Sequence, residues 1–350
     1  MNQAKNALWM SERGHSVWVL GYSDSLLHTY CKTHSLNFIP LIPHRKYFDF
    51  PAAFRLRKQL LNLNIQHLIL RDVRDMSVSV AAKFWGKSNF KVHYFMEMQL
   101  GVSKKNLLHT IRFRLLDTWS CPLNWLFEQV NEKTFMPKNR IIQIPSALNR
   151  TPFLNEISKE IARKEFGIPS EGLVIGLAGR FDPQKGQLLL LEALSIVENK
   201  TINVLFLGDS TKNEGDEYSL LVHAKMNQFE LENRCFIRPF RTDIEVFYKA
   251  IDVFIMASKC ETVGMVTIES MTSGTPVIGS NAGGTKEILK NGTAGYLFEP
   301  MDEKSLAEKI ETFIANPNQF QSTNLQNAVL EFDHHAVIHL VEERLHSFFK

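Results

Sequence analysis

Short apolar runs alternate with amphipathic stretches along the whole chain. This alternation is typical of βα units, in which each buried parallel strand is followed by a helix that covers the sheet. The apolar runs predict strands over residues 16–21, 38–42, 67–70, 91–95, 119–122 and 140–144, then 173–178, 203–207, 235–238, 253–256, 276–279 and 295–298. The fold class that follows is α/β, with a doubly wound, Rossmann-like sheet in each half.

The chain of 350 residues is too long for one ordinary domain and suits two. Residues 146–156 contain Pro152 and have little periodicity, which predicts a domain boundary there. We therefore expect an N-terminal domain over residues 1–150, a C-terminal domain over residues 151–330 and a closing helix over residues 331–350.

The start of the chain differs from the usual order of elements in a Rossmann-like domain. Residues 2–10 already have a helical pattern, and the first predicted strand comes only after Gly14. A Rossmann-like domain normally opens with a strand and a glycine-rich turn before its first helix. We therefore expect the N-terminal domain to lack its first strand, either because the true start lies upstream or because this is a shortened protein with impaired activity.

Composition and charge narrow the class of protein. With 44% hydrophobic and 22% charged residues the chain is an ordinary globular protein, and no apolar run approaches the roughly 18 residues of a membrane span. The N-terminus has no signal-peptide pattern, and the four cysteines are scattered without a CxxC pair, which is typical of reduced thiols. These features predict a cytoplasmic protein.

The charge is distributed unequally between the two halves. Residues 1–150 contain 21 Lys and Arg against 9 Asp and Glu, a net charge of +12, whereas the last 200 contain 19 against 28, a net charge of −9. The basic half either faces an anionic partner, such as the inner face of a membrane or a phosphate-bearing acceptor, or is a solvated basic surface.

The first motif with candidate functional residues follows the strand predicted at residues 173–178. Arg180 and Lys185 lie five positions apart on a turn rich in glycine and proline. The planar guanidinium and the ammonium are the cations best suited to neutralise a diphosphate, although exposed cations in a loop are often only solvated.

The second motif lies between the strand predicted at residues 253–256 and the next helix. Glu261 and Glu269 are eight positions apart, and Gly264 between them lets the backbone approach a ligand. The amides of Gly264, Met265 and Val266 would form a helix N-terminus that suits a phosphate, and Glu269 can accept hydrogen bonds from paired hydroxyls such as those of a ribose. The alternatives are a carboxylate favoured by the helix dipole for Glu269 and a solvated loop acid for Glu261.

The order of these motifs resembles that in a known protein family. Gly-Arg-x4-Lys-Gly is followed by Glu-x-x-Gly-x-x-x-x-Glu, by Gly274-Thr-Pro-Val-Ile and by Gly283-Gly-Thr-x-Glu-Ile. This sequence resembles the retaining glycosyltransferases of family four, the glycosyl transferases group 1, closely over residues 173–300 and more loosely elsewhere. The resemblance implies the GT-B fold, in which two Rossmann-like domains face a cleft.

The resemblance also implies roles for individual residues. Arg180 and Lys185 match the pair that binds the donor diphosphate, and Glu261 matches the glutamate that contacts the transferred sugar, so these three are the expected catalytic residues. Residues 264–266 match the amides near the distal phosphate and sugar, and Glu269 matches the ribose-binding glutamate. No metal or other cofactor is expected, because the cations and the helix dipole take its place and no Asp-x-Asp motif is present.

The N-terminal half gives weaker signals for an acceptor. Members of the family often present a histidine after a middle strand, but here Glu97 and Gln99 stand at the end of the strand predicted at residues 91–95. Glu97 can either orient an acceptor hydroxyl or make a structural hydrogen bond, and His93 inside the strand is expected to belong to the core. The basic, apolar stretch at residues 104–115 suits either a membrane surface or an ordinary amphipathic helix.

Several functions compete on the sequence alone. The leading one is transfer of a sugar from a UDP- or GDP-sugar to a glycan or lipid-linked acceptor, in the synthesis of a surface polysaccharide such as lipopolysaccharide. A sugar-nucleotide epimerase of the same fold and a non-catalytic sugar-nucleotide-binding relative are the alternatives. A nicotinamide dehydrogenase is disfavoured because no G-x-G-x-x-G fingerprint is present, and nucleic-acid binding lacks an aromatic-basic motif.

Overall fold

The computed structural model describes residues 2–84, 89–210 and 217–347. Its strands are β1 (Trp18–Gly21), β2 (Asn37–Pro40), β3 (His67–Leu70), β4 (Lys91–Phe95), β5 (Thr118–Cys121), β6 (Ile141–Gln143), β7 (Val174–Ala178), β8 (Asn203–Leu207), β9 (Cys235–Arg238), β10 (Val253–Met256), β11 (Val277–Ser280) and β12 (Tyr296–Phe298). Its α-helices are α1 (Asn2–Glu12), α2 (Leu26–Thr33), α3 (Phe50–Asn62), α4 (Met76–Phe84), α5 (Leu107–Arg114), α6 (Asn124–Lys133), α7 (Lys159–Phe166), α8 (Gln187–Ile196), α9 (Glu217–Gln228), α10 (Ile244–Ala250), α11 (Met265–Thr272), α12 (Gly283–Ile288), α13 (Glu303–Ala315), α14 (Ser322–Ala328) and α15 (His334–His346).

The chain divides into two compact units. Unit 1 comprises Met1–Ala147 and His334–Lys350, and unit 2 comprises Leu148–Asp333. Helix α15, the closing helix expected from the sequence, is therefore part of unit 1, and the last three residues of its predicted range lie outside the described residues.

Unit 2 contains one parallel sheet with the strand order β9-β8-β7-β10-β11-β12. Every residue of β7 and β10 is buried, as expected for central strands covered by helices on both faces. The core beneath these strands is built largely from aliphatic residues of β7, β8, β10 and α8. The predicted α/β fold with parallel sheets is confirmed.

Asp252 sets the register of the two central strands of unit 2. Its carboxylate accepts a hydrogen bond of 2.7 Å from the backbone N–H of Val174, the first residue of β7, and lies directly before β10. The buried guanidinium of Arg163 donates to the same oxygen at 2.7 Å and to the carbonyl of Ala250 at 3.0 Å. These bonds hold the first residues of β7 and β10 in register. Because the two strands are aligned, the loops that follow them also begin at fixed positions.

The strand pairings described in unit 1 are parallel too, but its strands form two separate sheets. Strand β1 pairs with β2, and the other four strands have the order β3-β4-β5-β6. Among the described residues no strand lies between β1 and β3. In the described residues the strands of unit 1 therefore form two separate parallel sheets, one of two strands and one of four.

Local signals in the sequence explain where several helices begin. Ser25, Asp49, Asn106 and Ser158 each accept a hydrogen bond from the backbone N–H three residues later, which satisfies one of the unpaired donors at a helix N-terminus. In the part of the chain that the structure describes, no helix is both long and apolar enough to cross a membrane.

Candidate active site in unit 2

The candidate site lies where the strand order of unit 2 reverses. The chain passes from β7 to β8 on one side and later returns to β10 on the other side of β7. In open parallel sheets, ligands bind outside the carboxyl ends of the strands at such a switch point. The loop with Arg180 and Lys185 follows β7, and the loop with Glu261 follows β10, so both predicted motifs emerge at this point.

An ion pair joins the two loops. Lys185 Nζ lies 2.5 Å from Glu261 Oε1, and Ser258 Oγ donates a hydrogen bond of 2.8 Å to the same oxygen. The lysine side chain is 29% exposed and the glutamate side chain 18% exposed. The pair is therefore fixed by its neighbours and still reachable from solvent.

The backbone around Glu261 contacts the N-terminus of α12 and lies shortly before the N-terminus of α11. Gly264 is the residue before α11 and has a φ of +86°, a conformation that glycine adopts without strain. On the other side, the N–H of Gly284 donates a hydrogen bond of 2.9 Å to the carbonyl of Glu261. A Cβ atom on Gly283 would lie 2.4 Å from the same carbonyl oxygen, so only glycine fits there. Gly283 and Gly284 thus have a structural role in placing Glu261.

Arg180 differs from Lys185 in its exposure. Its side chain is 63% exposed, and its guanidinium lies 4.0 Å from the carboxylate of Asp182. The backbone is more firmly placed, because the carbonyl of Arg180 accepts a hydrogen bond of 2.8 Å from the side chain of the buried Gln187. The guanidinium is therefore able to reach a ligand from a fixed backbone position, since the ion pair with Asp182 is long and exposed.

Glu269 is held from the second turn of α11 by a buried tyrosine. The hydroxyl of Tyr248 lies 3.0 Å from Glu269 Oε2 and 3.1 Å from the carbonyl of Val266. Burial, together with the Glu269 carboxylate, raises the pKa of Tyr248 well above its ordinary value. The tyrosine therefore stays a protonated donor, and its hydroxyl orients the carboxylate of Glu269.

We expect Tyr248→Phe to weaken the nucleotide affinity of the protein by about 3- to 10-fold, since one net hydrogen bond contributes about 1 kcal/mol. The carboxylate of Glu269 would keep its charge and lose its orientation. Tyr296→Phe is the matched control, because its hydroxyl bonds Gln319 at 2.5 Å in the same unit. Titration with nucleoside diphosphates measures both variants, and an equal effect in the two would exclude a role of Tyr248 in the site.

Glu97, the predicted acceptor-side residue, lies after β4 in unit 1. Its carboxylate accepts a hydrogen bond of 3.0 Å from Arg71 Nη1, which follows β3. The guanidinium of Arg71 also lies over the ring of Phe95, 5.1 Å from its centre. Glu97 therefore makes a structural contact and remains 40% exposed, so its predicted role toward an acceptor stays a prediction.

His93 is a core residue and is not part of the candidate active site. It is completely buried in β4, its Nδ1 lies 2.7 Å from Thr118 Oγ1, and burial lowers its pKa to about 3. The expectation that His93 belongs to the core agrees with these contacts.

Several residues of the site were missed by reasoning from the sequence. Tyr248 lies 21 positions before Glu269 and Gln187 is a helical residue, so neither gives a local signal. Ser258 lies two residues after the end of β10, and that position alone could have identified it. Buried hydroxyls of Thr267 and Thr285 also lie within 3.7 Å of the Cβ position of Gly264.

Comparisons with known proteins agree with this geometry. Residues 158–328 match the family described as Glycosyl transferases group 1. The chain is 24% identical, over 73% of its own length and 70% of the other's, to the lipopolysaccharide core biosynthesis glycosyltransferase LpsE of Rhizobium meliloti. It spans about half the length, or less, of several other curated relatives that it matches.

Two solved structures share the fold of the whole chain. A glycosyltransferase from Rickettsia africae aligns with a TM-score of 0.90 at 19% identity, covering 100% of this chain and 94% of that one. The Anabaena protein HepE, in complex with UDP and glucose, aligns with a TM-score of 0.81 at 20% identity, covering 99% and 95%. The comparisons therefore show a glycosyltransferase, with the match to the glycosyl transferases group 1 family lying in residues 158–328. The predicted GT-B fold is confirmed by these neighbours.

Proposed function

We propose that the protein is a retaining glycosyltransferase that moves a sugar from a UDP- or GDP-sugar to a glycan or lipid-linked acceptor in the synthesis of a surface polysaccharide. The observation that carries this proposal is the Lys185–Glu261 pair beside the N-terminus of α11, at the switch point of unit 2. The site contains a cation and helix amides, which suit the diphosphate of a sugar nucleotide, and a carboxylate, which suits the hydroxyls of its sugar. The name of the rhizobial relative supports the assignment to a surface polysaccharide.

The site suggests how the reaction proceeds. Lys185 and Arg180 would neutralise the diphosphate as the bond between its oxygen and the anomeric carbon breaks, which stabilises charge that grows in the transition state. Lys185 and Ser258 both donate to Oε1 of Glu261, so within the described residues Oε2 is left to accept bonds from hydroxyls of the sugar. The acceptor oxygen would bond to the anomeric carbon on the same face, and its proton would pass to the departing diphosphate, so the configuration is retained.

The nucleoside would be held further along α11. Glu269 lies on the next turns of this helix, beyond the amides of residues 264–266, and its carboxylate is oriented by Tyr248. A carboxylate that accepts bonds from two adjacent hydroxyls suits a ribose. The structure of HepE with UDP and glucose supports UDP as the first nucleotide to test.

The proposal is tested by a donor screen. The purified chain is incubated with UDP- and GDP-sugars and a membrane extract as the source of acceptor, and the released nucleotide and the extended glycan are measured. Transfer from one donor, with the α or β configuration preserved in the product, supports the proposal. An epimerised sugar nucleotide without transfer, or nucleotide binding without any reaction, would contradict it.

We also propose that the reaction needs no metal ion, because Lys185, Arg180 and the α11 N-terminus supply the positive charge that a metal would provide. We expect transfer rates in EDTA to equal those in magnesium within about 2-fold, since no divalent ion would take part in charge stabilisation. The measurement is the initial rate of nucleotide release after exhaustive chelation. A loss of activity that is restored by adding one divalent metal would contradict this proposal.

A further inference from the structure

Three cations of unit 1 gather around His109 on helix α5. Arg112 Nη1 lies 3.4 Å from His109 Nδ1. Burial lowers the pKa of His109, and three positive charges near its ring lower it further. These charges belong to Arg112, Lys104 and Lys46, which we call the cation cluster.

Arg112 is the buried member of the cation cluster. The residue is only 4% exposed, and its Nε has no hydrogen-bond partner in the described residues. Its Nη2 donates a bond of 3.0 Å to the carbonyl of Val73, and its guanidinium lies 5.0 Å from the centre of the Tyr47 ring. Burial lowers the pKa of Arg112, and the neighbour that opposes this shift is Tyr47 rather than a carboxylate. Since a buried charge without a counterion is costly, an anion beside Arg112 would stabilise it.

The carboxylates in this part of unit 1 are engaged by other residues. Each contacts a basic neighbour at 2.6 to 3.1 Å: Asp72 contacts Arg74, Glu97 contacts Arg71 and Asp75 contacts His44. Among the described residues, no Asp or Glu makes an ion pair with a member of the cation cluster. The excess positive charge of residues 1–150 is therefore not neutralised by the protein at α5.

The cation cluster lies where ligands bind in open α/β sheets. Tyr47 follows β2, Val73 follows β3 and Lys104 follows β4, so each belongs to a loop at the carboxyl end of a parallel strand. Ligands bind outside these ends. Arg112 contacts Tyr47 and Val73 and therefore joins loops that follow both sheets of unit 1.

The exposure of the three cations suits a bound anion. Lys46 is exposed, Lys104 is half-buried and Arg112 is buried. Lys46 Nζ lies 5.3 Å from the centre of the same Tyr47 ring that Arg112 contacts. A guanidinium provides a planar fork of donors and each ammonium a point charge, and together they match the charge and oxygen atoms of a phosphate group.

We propose that the cation cluster binds the phosphate of a phosphate-bearing acceptor, either a monoester or a diphosphate. This inference rests on the proposed transfer to a glycan or lipid-linked acceptor, and it narrows that class to anionic acceptors. Arg112 supplies the buried charge, and Lys46 and Lys104 supply charges that solvent reaches. A lipid headgroup has the same phosphate chemistry, so the test includes both sources.

The binding test follows the imidazole of His109 by NMR in the full chain. Inorganic pyrophosphate is the soluble probe, and vesicles of phosphatidylglycerol and phosphatidylcholine are the lipid probe. We expect pyrophosphate to raise the pKa of His109, because an anion offsets the positive charges beside the ring. The rise should be smaller in Lys104→Ala. It should be unchanged in Lys105→Ala, the matched control, because the Lys105 ammonium lies 5.3 Å from the centre of the Phe135 ring.

The outcomes separate the two units and the two sources. A response of His109 that persists in Lys185→Ala arises in unit 1, and it supports phosphate binding there whether or not the donor screen detects transfer. A response to vesicles alone would assign the cation cluster to a membrane surface and overturn the proposal. Equal losses in Lys104→Ala and Lys105→Ala, or a pKa of His109 that pyrophosphate does not change, would overturn it as well.

The transfer assay tests the role toward the acceptor. We expect the double variant Lys46→Ala, Lys104→Ala to need at least about 10-fold more membrane extract for the half-maximal rate, since two charge-assisted contacts to the phosphate are lost. The KM for the sugar nucleotide should not change, and Lys105→Ala should behave as the unchanged protein does. A raised KM for the sugar nucleotide without a raised requirement for extract would overturn the acceptor role.

Discussion

Lys185→Ala is expected to reduce kcat/KM for transfer by about 10²- to 10³-fold, the usual effect of removing one group that stabilises developing charge. The side chain is the cation placed between the loops after β7 and β10, and its ammonium lies 2.5 Å from Glu261. Its loss removes positive charge from the diphosphate and also leaves the carboxylate of Glu261 without its counterion. Both effects oppose the departure of a charged diphosphate. Arg180→Ala should act in the same direction.

The matched control is Lys225→Ala. Lys225 lies in unit 2, its side chain is 29% exposed as that of Lys185 is, and it lies 4.0 Å from Glu192. Initial rates and nucleotide titrations on both variants separate turnover from affinity. We expect the control to match the unchanged protein within about 2-fold, because such a surface ion pair contributes little. Normal transfer by Lys185→Ala would remove this lysine from the mechanism.

Glu261→Gln is expected to lower kcat by about 10²-fold or more while nucleotide affinity stays the same or rises. The substitution keeps the shape of the side chain and removes its charge. A neutral amide beside Lys185 no longer competes with a diphosphate for the ammonium, so binding of the free nucleotide should not suffer. Turnover falls because the group proposed to contact the reacting sugar has lost its charge.

Glu331→Gln provides the comparison for this variant. Glu331 makes an ion pair of 2.5 Å with Lys290 in unit 2, the same length as that between Glu261 and Lys185. If loss of any such pair impaired the protein, both variants would lose activity and stability together. We expect only Glu261→Gln to lose turnover. A loss of nucleotide affinity larger than the loss of kcat would show that the role of Glu261 has been misassigned.

Much of the fold was predictable from local pattern. The strands at β3, β4, β8, β9 and β10 have the bounds that the apolar runs predict, because buried parallel strands are short and continuously apolar. Helix α1 also followed from the sequence, since residues 2–10 have a helical pattern before the first apolar run. Neither inference needs information about distant contacts.

The candidate site was predictable only in part. Arg180 and Lys185 follow one strand, and Glu261 and Glu269 follow another, so sequence order places them at the carboxyl end of a parallel sheet. The pattern does not say that Lys185 binds the Glu261 carboxylate while Arg180 remains exposed, because both cations lie in the same loop. Tyr248 was not predictable, since it reaches Glu269 from a different helix.

The sequence by itself determined which groups are available at the site: two cations after β7, and two carboxylates around a helix that Gly264 precedes. Local steric and hydrogen-bonding preferences are enough for that, since they act within a few residues. Only the tertiary structure decided that Lys185 and Glu261 form one pair and that β1 and β3 lie in two separate parallel sheets of unit 1. Both depend on how parallel strands far apart in sequence are ordered in a sheet, and that order comes from the packing of helices and strands together.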